Sequence, residues 1–520
     1  MRITNRIMQR NNLSNINTNK MYQDRLSTQM SSQKKINRPS DDPVVAIRAL
    51  RLRSNVTEIT QYYSKNIPDA ESWLKVTEDA ISNLSQIMTT MIARCTKGVN
   101  SEYTTEQRQI ILEEMQNLGK EVYSTGDADY AGRYVFTGYR TDTSLSFLEA
   151  KNQNYTITEQ LDKNAIDTVS KVETDELLDI NSTNYATKKV TEDDISAVEV
   201  HRIRLAYNDC SDKGMPVIEY IDPATQNKIT WQGADITLKH SYDKNPNPYA
   251  FVADENNKDA IVYIPETGEL LLGSNRYEAL MATKDSEGTS NINEAEIRVT
   301  YDKSNWEKGD LRPEHYFYCK ADREDGSGDR ITYNDSYLEH GAEHQIIEYD
   351  VGFNQTIRIN STADECFKHG VGREVDDIVN SMQDVLDLEG VEADIKGIME
   401  KVTDKDELAD LQKQLDAVEK ALTLAKKKEQ DLFQRGITSF QEYLDDANLC
   451  VTNCGSRRSK LELIQNRTQN QKTTYETLKS ENEDIDITEV AIQLNAAELT
   501  YDAALMAAGK VMQTTLLNFI

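Results

Sequence analysis

Few residue groupings in this 520-residue chain have the types and spacing to do chemistry. Cys450 and Cys454 stand four apart, a separation that puts two side chains on one helix face. Two thiolates there could begin a zinc site, but a tetrahedral site needs two further ligands and no histidine lies nearby. Two small packed residues are the simpler reading. His340 and His344 share the spacing, but Glu343 directly precedes the second histidine. Zinc peptidases need the glutamate directly after the first, and Gly341 weakens a helix there. Ordinary surface histidines fit better, and His201, His240, His315 and His369 are isolated in sequence. The run from Asp322 to Asp329 is rich in oxygen ligands but misses the regular spacing of a calcium loop, so a solvated turn is expected. There is no phosphate-cradling glycine loop and no nucleophile elbow. With 88 acidic residues, carboxylates fall close together by chance. The chain reads as a non-enzyme, without cofactor or metal.

What remains informative is the pattern of the elements. Hydrophobic residues make up 38% of the chain and charged ones 28%, with a formal charge of −29. That charge argues against nucleic-acid binding, which rests on excess Lys and Arg. The charge is uneven, because residues 1–56 hold eleven Lys or Arg against three acids. These bases alternate with Asn, Ser and Gln along a helical stripe. A basic end on an acidic body fits packing between protein subunits better than a nucleic-acid or membrane patch. The first 19 residues contain no apolar run of seven, so no secretory signal is expected. No run of 18 apolar residues occurs, so no membrane insertion is expected either. Six scattered cysteines form no disulfide framework and fit synthesis in a reducing compartment.

Both ends are helical and assembly-prone. Ile3, Ile7, Leu13, Ile16, Met21, Leu26, Met30 and Ile36 recur at three-and-four spacing, as do Val490, Leu494, Ala497, Tyr501, Leu505, Ala508, Met512, Leu516 and Phe519. The Asn-rich first helix is a poor isolated helix. A turn follows at 37–43, where Asp42 can cap a helix that has Pro43 at its first position. Further helices are expected over 43–66, from a kink at Pro68 to an end at Gly98, and over 104–125. Residues 133–139 read as a strand and turn. From about 146 to 363, short runs of Tyr, Ile, Thr and Val alternate with Asp, Asn and Gly. This is an antiparallel or mixed β region of one or two subdomains, with a hairpin at Glu266–Glu269. Helices return at 371, break at Gly390, resume over 404–429, break again near Gly436 and continue over 440–479. Asp486 or Thr488 can cap a final helix. The expected fold is mixed α and β: a long helical bundle or coiled coil formed by both termini, with a β-rich insertion in the middle. Three domains follow: 1–40 with 481–520, 41–145 with 364–480, and 146–363.

Particular motifs narrow this further. Met1-Arg-Ile-Thr4, Ile36-Asn-Arg-Pro-Ser-Asp-Asp-Pro43, Leu50-Arg-Leu-Arg-Ser54 and Trp73-Leu-Lys-Val-Thr77 resemble the flagellar hook-associated protein 3 family, the hook–filament junction proteins of bacteria. So do Gly455-Ser-Arg-Arg-Ser-Lys-Leu-Glu462, Asn482-Glu-Asp-Ile-Asp486 and Thr515-Leu-Leu-Asn-Phe-Ile520. The resemblance covers about 1–145 and 371–520. Flagellin is the near relative and the alternative. Pro43, where flagellins have an Ala-rich continuation, and the Phe-Ile finish favour the junction family. Pro68 and Ser456 depart from its usual pattern. A secreted adhesin carried on the β region is a more distant alternative.

The resemblance implies a structural subunit exported through the flagellar type III channel to the hook–filament junction. Its terminal segments would pair as a coiled coil, and the subunit would self-associate in a ring or helical layer. Its other partners would be hook-associated protein 1, flagellin and a cytoplasmic export chaperone. The assembly core would include Ile3, Ile7, Leu494, Tyr501, Leu505, Leu516 and Phe519, with Arg48, Arg51 and Arg53 as lateral contacts.

Overall fold

The computed structural model describes residues 5–100, 103–222, 225, 227–244, 246–282, 297–323, 328–340 and 345–513. It is a mixed α/β fold with long terminal helices and a β-rich middle. Four helices open the chain: α1 (Asn5–Ser32), α2 (Pro43–Gln61), α3 (Ile67–Asn100) and α4 (Thr105–Gly126). Five short ones lie in the middle: α5 (Asp175–Leu178), α6 (Pro248–Ala253), α7 (Ser274–Met281), α8 (Tyr337–His340) and α9 (Ala363–Cys366). Three long helices follow: α10 (Gly370–Met399), α11 (Lys405–Glu483) and α12 (Ile487–Gln513).

Of the strands, β1 (Asp129–Tyr130) and β2 (Arg133–Tyr134) form a short hairpin. Next come β3 (Lys151–Leu161), β4 (Ile166–Val172), β5 (Ala197–Arg204), β6 (Val217–Ile221), β7 (Lys228–Trp231) and β8 (Ile236–Leu238). Then follow β9 (Ile261–Ile264), β10 (Glu269–Leu272), β11 (Ile297–Trp306), β12 (Tyr318–Asp322) and β13 (Arg330–Tyr333). The last pair is β14 (Glu348–Gly352) and β15 (Gln355–Arg358). Residues 133–139, expected as a strand and turn, give β2 at Arg133–Tyr134 and then a turn. Gly138 takes φ +61°, a left-handed turn conformation that ends extended structure.

The chain divides into two compact units. The larger spans Ser72–Glu348 and Arg358–Arg458. It contains one five-stranded sheet of order β4-β5-β10-β9-β8 and one six-stranded sheet of order β13-β12-β3-β11-β6-β7. The first is mixed, because β8 runs parallel to β9. The hairpin at Glu266–Glu269 joins β9 to β10 in register, Glu269 opposite Ile264.

Three expected helix breaks in this unit are corrected. Gly98 and Gly436 both lie inside helices, at points of close approach. The Phe433 ring sits where a Cβ on Gly98 would be, and a Cβ on Gly436 would meet Ile378 at 3.0 Å. Glycine serves here to let helices touch, which leaves α11 continuous for 79 residues. At Gly390, α10 also runs on. Its stripe of Val385, Leu388, Val391, Ile395 and Ile398 packs against Leu411, Leu415, Val418 and Leu422 of α11. Burial of that stripe outweighs the roughly 1 kcal/mol helix cost of one glycine.

A buried ion network holds the five-stranded sheet to the helices. On β5, Arg202 pairs with Asp167 at 2.9 Å and with Glu269 and Asp377. Arg204 reaches Asp377 at 2.6 Å and Glu374, and Arg435 of α11 reaches Asp167 at 2.6 Å. Burial alone would raise the Asp377 carboxyl, but Arg202 and Arg204 hold it well below the usual carboxylate range. Arg108 of α4 similarly meets Glu429 and Glu389 at 3.0 Å, all with little solvent contact.

The smaller unit comprises the residues up to Glu71, Tyr349–Ile357 and those from Ser459 onward. Before Pro68 the helix loosens into a π-turn over Tyr62–Asn66, with the Ile67 N–H donating to Tyr62 O. Proline supplies no N–H and crowds the preceding turn, which accounts for the irregularity at this place. The β14–β15 hairpin joins this unit through Asn66, which donates to Asp350 O at 2.8 Å, and through Tyr349, which donates to Asp69 at 2.6 Å.

Candidate assembly surface

The smaller unit brings the two ends of the chain together at the two motifs that flank its turns. Asp42 caps α2, accepting from the Val44 and Val45 N–H groups at 3.0 and 3.1 Å, with Pro43 at the first position. Asp486 caps α12 by accepting from Thr488 at 2.9 Å and Glu489 at 3.3 Å. Between these helices the chain ends are tied by backbone. The Lys35 N–H donates to Glu483 O at 2.7 Å and the Ile485 N–H to Gln33 O at 3.2 Å. Gln33 holds φ 57°, which turns the chain out of α1. Lys34 pairs with Asp484.

Arg53 completes this clasp. Its guanidinium forks onto Glu483 at 2.6 and 2.8 Å, the bidentate geometry that makes Arg–carboxylate pairs strong. The Arg53 hydrogen bond holds the Glu483 carboxyl below its ordinary pKa. Arg53 is thus occupied within its own chain, whereas Arg48 and Arg51 are exposed on α2.

Above the clasp, α1 and α12 pack on a small cluster: Leu26, Val490 and Ala497 are buried, with Ile485 and Leu494 against them. Leu494 is therefore a pairing residue, and Tyr501 is half-buried further along α12. Ile7 and Leu505 remain exposed, at 51% and 44%. Ile3, Leu516 and Phe519 lie outside the described residues.

Much of the apolar surface faces away from that cluster. Ile492, Leu499 and Met506 form a second stripe on α12, seven residues apart and about two-thirds exposed. Leu13 and Met21 do likewise on α1, and Val44, Ile47 and Leu50 on α2. A monomer rarely exposes so many large apolar side chains on neighbouring helices without a use for them. The outer α12 stripe went unread in the sequence, although its seven-residue repeat was visible. The Arg53–Glu483 fork had no such signal, since nothing local links charges 430 positions apart.

The groupings with chemical potential are structural where described. Cys450 and Cys454 are buried, and the Cys454 thiol donates to Leu74 O at 3.6 Å. Among the described residues, no three or more His, Cys, Asp or Glu side chains are placed to share a metal ion. His344 and part of the Asp322–Asp329 run lie outside the described residues. His315 and His369 are buried, which pushes both down to about 4. The His315 Nε2–H donates to Ser144 O at 2.9 Å. Among the described residues, no helix is long and apolar enough to cross a membrane.

The terminal helices clasp beginning to end and keep apolar stripes outward, an arrangement suited to packing against further helices. Residues 3–141 match the family described as the bacterial flagellin N-terminal helical region. Flagellar hook-associated protein 3 of Salmonella typhimurium is 26% identical over 145 residues, 28% of this chain and 45% of that protein. The Escherichia coli protein of the same name is 25% identical over 154 residues, 29% of this chain and 48% of its own. The chain thus spans about half the length of the curated relatives it matches. A solved hook-associated protein 3 from Legionella pneumophila aligns over 83% of this chain and 97% of its own, at 11% identity and a TM-score of 0.30. The chain is similar, at low identity, to the flagellar hook–filament family.

Proposed function

We propose that this chain is a structural subunit of the bacterial flagellum, joining hook to filament as a ring or helical layer. The observation that carries this reading is the α1–α12 pair, clasped at Glu483 and apolar on its outward faces. The similarity to hook-associated protein 3 over 145 and 154 residues supports the position at the junction. In this reading, residues 1–40 with 481–520 form the inner assembly domain and 41–145 with 364–480 a surrounding helical core. Residues 146–363 form the outer domain. Hook-associated protein 1 and flagellin are the neighbours below and above, and a chaperone covers the last helix before export through the type III channel. Burying one leucine-sized side chain contributes roughly 1.5–3 kcal/mol. The outward stripes therefore order the Asn-rich α1 most fully when a neighbour covers them.

Immunogold labelling of intact flagella with antibody against residues 146–363 tests this. One band between hook and filament is expected. Labelling along the whole filament instead establishes a filament subunit, a second reading favoured by the match of 3–141 to the flagellin N-terminal region. Replacing Leu494 and Leu505 with Asp should abolish incorporation while leaving the β sheets folded, read by near-UV circular dichroism.

A further inference from the structure

Two exposed helix faces on this chain are apolar at the centre and opposite in bordering charge. On α2, Ala46 and Ala49 are buried, and the opposite face carries Val44, Ile47 and Leu50 with Arg48 and Arg51 among them. This is an apolar ridge with a basic border. On α4, Ile111, Leu112, Met115 and Val122 are buried. The solvent face carries Glu106, Ile110, Glu113, Asn117 and Glu121, which fall on one side at helical spacing. Ile110 is 64% exposed at its centre. An open groove of about 390 Å³ runs along it, lined by Ile110, Leu118, Glu113, Glu114 and Glu121. Glu114 is already paired with Arg94 at 2.6 Å, so the acids on the outer edge are Glu113 and Glu121.

We propose that α2 of one copy docks its Ile47–Leu50 ridge into the α4 groove of a second copy of this chain, with Arg48 and Arg51 against Glu113 and Glu121. The inference rests on the assembly reading above and names the two surfaces that meet. Charge complementarity selects the occupant: the acidic groove needs a basic apolar face, and the same chain carries one. The contact is heterologous, so each copy keeps a free α2 and a free α4, and the chain of contacts propagates as a ring or helix. Opposite charges bordering an apolar centre set register and exclude wrong partners.

The test uses the full-length chain. All six native cysteines are buried, so Leu50→Cys and Ile110→Cys introduce a reactive pair on exposed sites. Oxidation with copper phenanthroline should give a ladder of covalent dimers, trimers and higher species for L50C/I110C. Each single variant should stay at least tenfold less cross-linked. In light scattering, R48E/R51E and E113R/E121R should each weaken self-association at least tenfold, and the four-fold charge swap should restore it to within about threefold. If wild-type chains associate but L50C/I110C gives no ladder and the swap fails to rescue, the α2–α4 contact is wrong while the assembly reading stands. Wild-type chains that stay monomeric at all concentrations and build no junction in cells overturn both.

Discussion

The two units of this chain solve the burial problem in opposite ways. The larger surrounds its helices and sheets with a closed core, in which the α10–α11 stripe meets Leu177, Ile180, Val190 and Ile195. It also keeps its charges paired, as around Arg202. Among the described residues, the smaller buries Leu26, Val490 and Ala497 between its terminal helices and leaves Met21, Ile492, Leu499 and Met506 in water. A unit that satisfies itself can fold alone. A unit with its apolar faces outward is finished by neighbours. The difference separates a body with a large closed core from terminal helices with a small one within one sequence.

The largest effect expected from breaking this contrast lies in the larger unit. Arg202→Ala leaves buried Glu269 without its arginine and leaves Asp167 and Asp377 with Arg435 and Arg204 alone. Removing one member of a buried charge cluster costs about 3–5 kcal/mol, which urea unfolding followed at the tryptophans would read as a lower midpoint. In the smaller unit, Leu26→Ala opens the cluster with Val490 and Ala497 and should cost about 2–3 kcal/mol of helix pairing. Its unfolding should show in far-UV circular dichroism with the tryptophan transition unmoved.

Acid separates the units next. His315 and His369 titrate near 4 in the folded larger unit, against about 6.5 unfolded. Between those values the unfolded state binds more protons, so stability rises with pH and falls on acidification. Glu159 opposes this. Burial pushes it up to about 7, so its contribution is greatest in acid and is lost as pH rises through that value. Burial also raises Asp127, Asp310, Asp364, Asp376 and Glu429, which act with Glu159. The histidine contribution is therefore read as the part of the Tm change between pH 6.5 and 4.5 that His315→Gln and His369→Gln remove. The clasp behaves differently. Glu483 is held below its ordinary value by Arg53, so its contribution is present above about 4.5 and is lost only as pH falls below that. A clasp that opens at pH 6 while the sheets stay folded would contradict this. The smallest change is Asp486→Ala, which removes the α12 cap and should cost about 1 kcal/mol, seen as faster amide exchange in its first turn.

The same contrast explains what could be read in advance. Local signals read true in the Asp42–Pro43 and Asp486 caps and the Glu266–Glu269 hairpin, and in part in the terminal stripe, where Leu26, Val490, Leu494 and Ala497 pair α1 with α12 while Leu13, Met21 and Leu505 are exposed. Each depends on residues a few positions apart. Glycine is ambiguous in sequence: Gly98 and Gly436 have the pattern of helix ends but are points of close contact with Phe433 and Ile378. A partner hundreds of residues away decides that role. Strand order was hidden for the same reason, since β3 pairs with β11 through Thr158 and Thr300. So were the Arg202 network and the Arg53–Glu483 fork. Of the expected assembly residues, Leu494 seals the helix pair, Ile7 and Leu505 face outward, and Arg53 is occupied within its own chain. The seven-residue repeat of Ile492, Leu499 and Met506 is legible in the sequence, but which of the two α12 stripes faces α1 is set by the distant Leu26.

The most direct test of the central claim is hydrogen exchange on the free full-length chain and on the same chain within isolated flagella. In the free chain, the account predicts that amides of α1 and α12 exchange early while those of α10 and the two sheets stay protected. In flagella, α1 and α12 should become as protected as α10. If α1 and α12 are already as protected as α10 in the free chain, the smaller unit needs no neighbours to complete it, and the account fails.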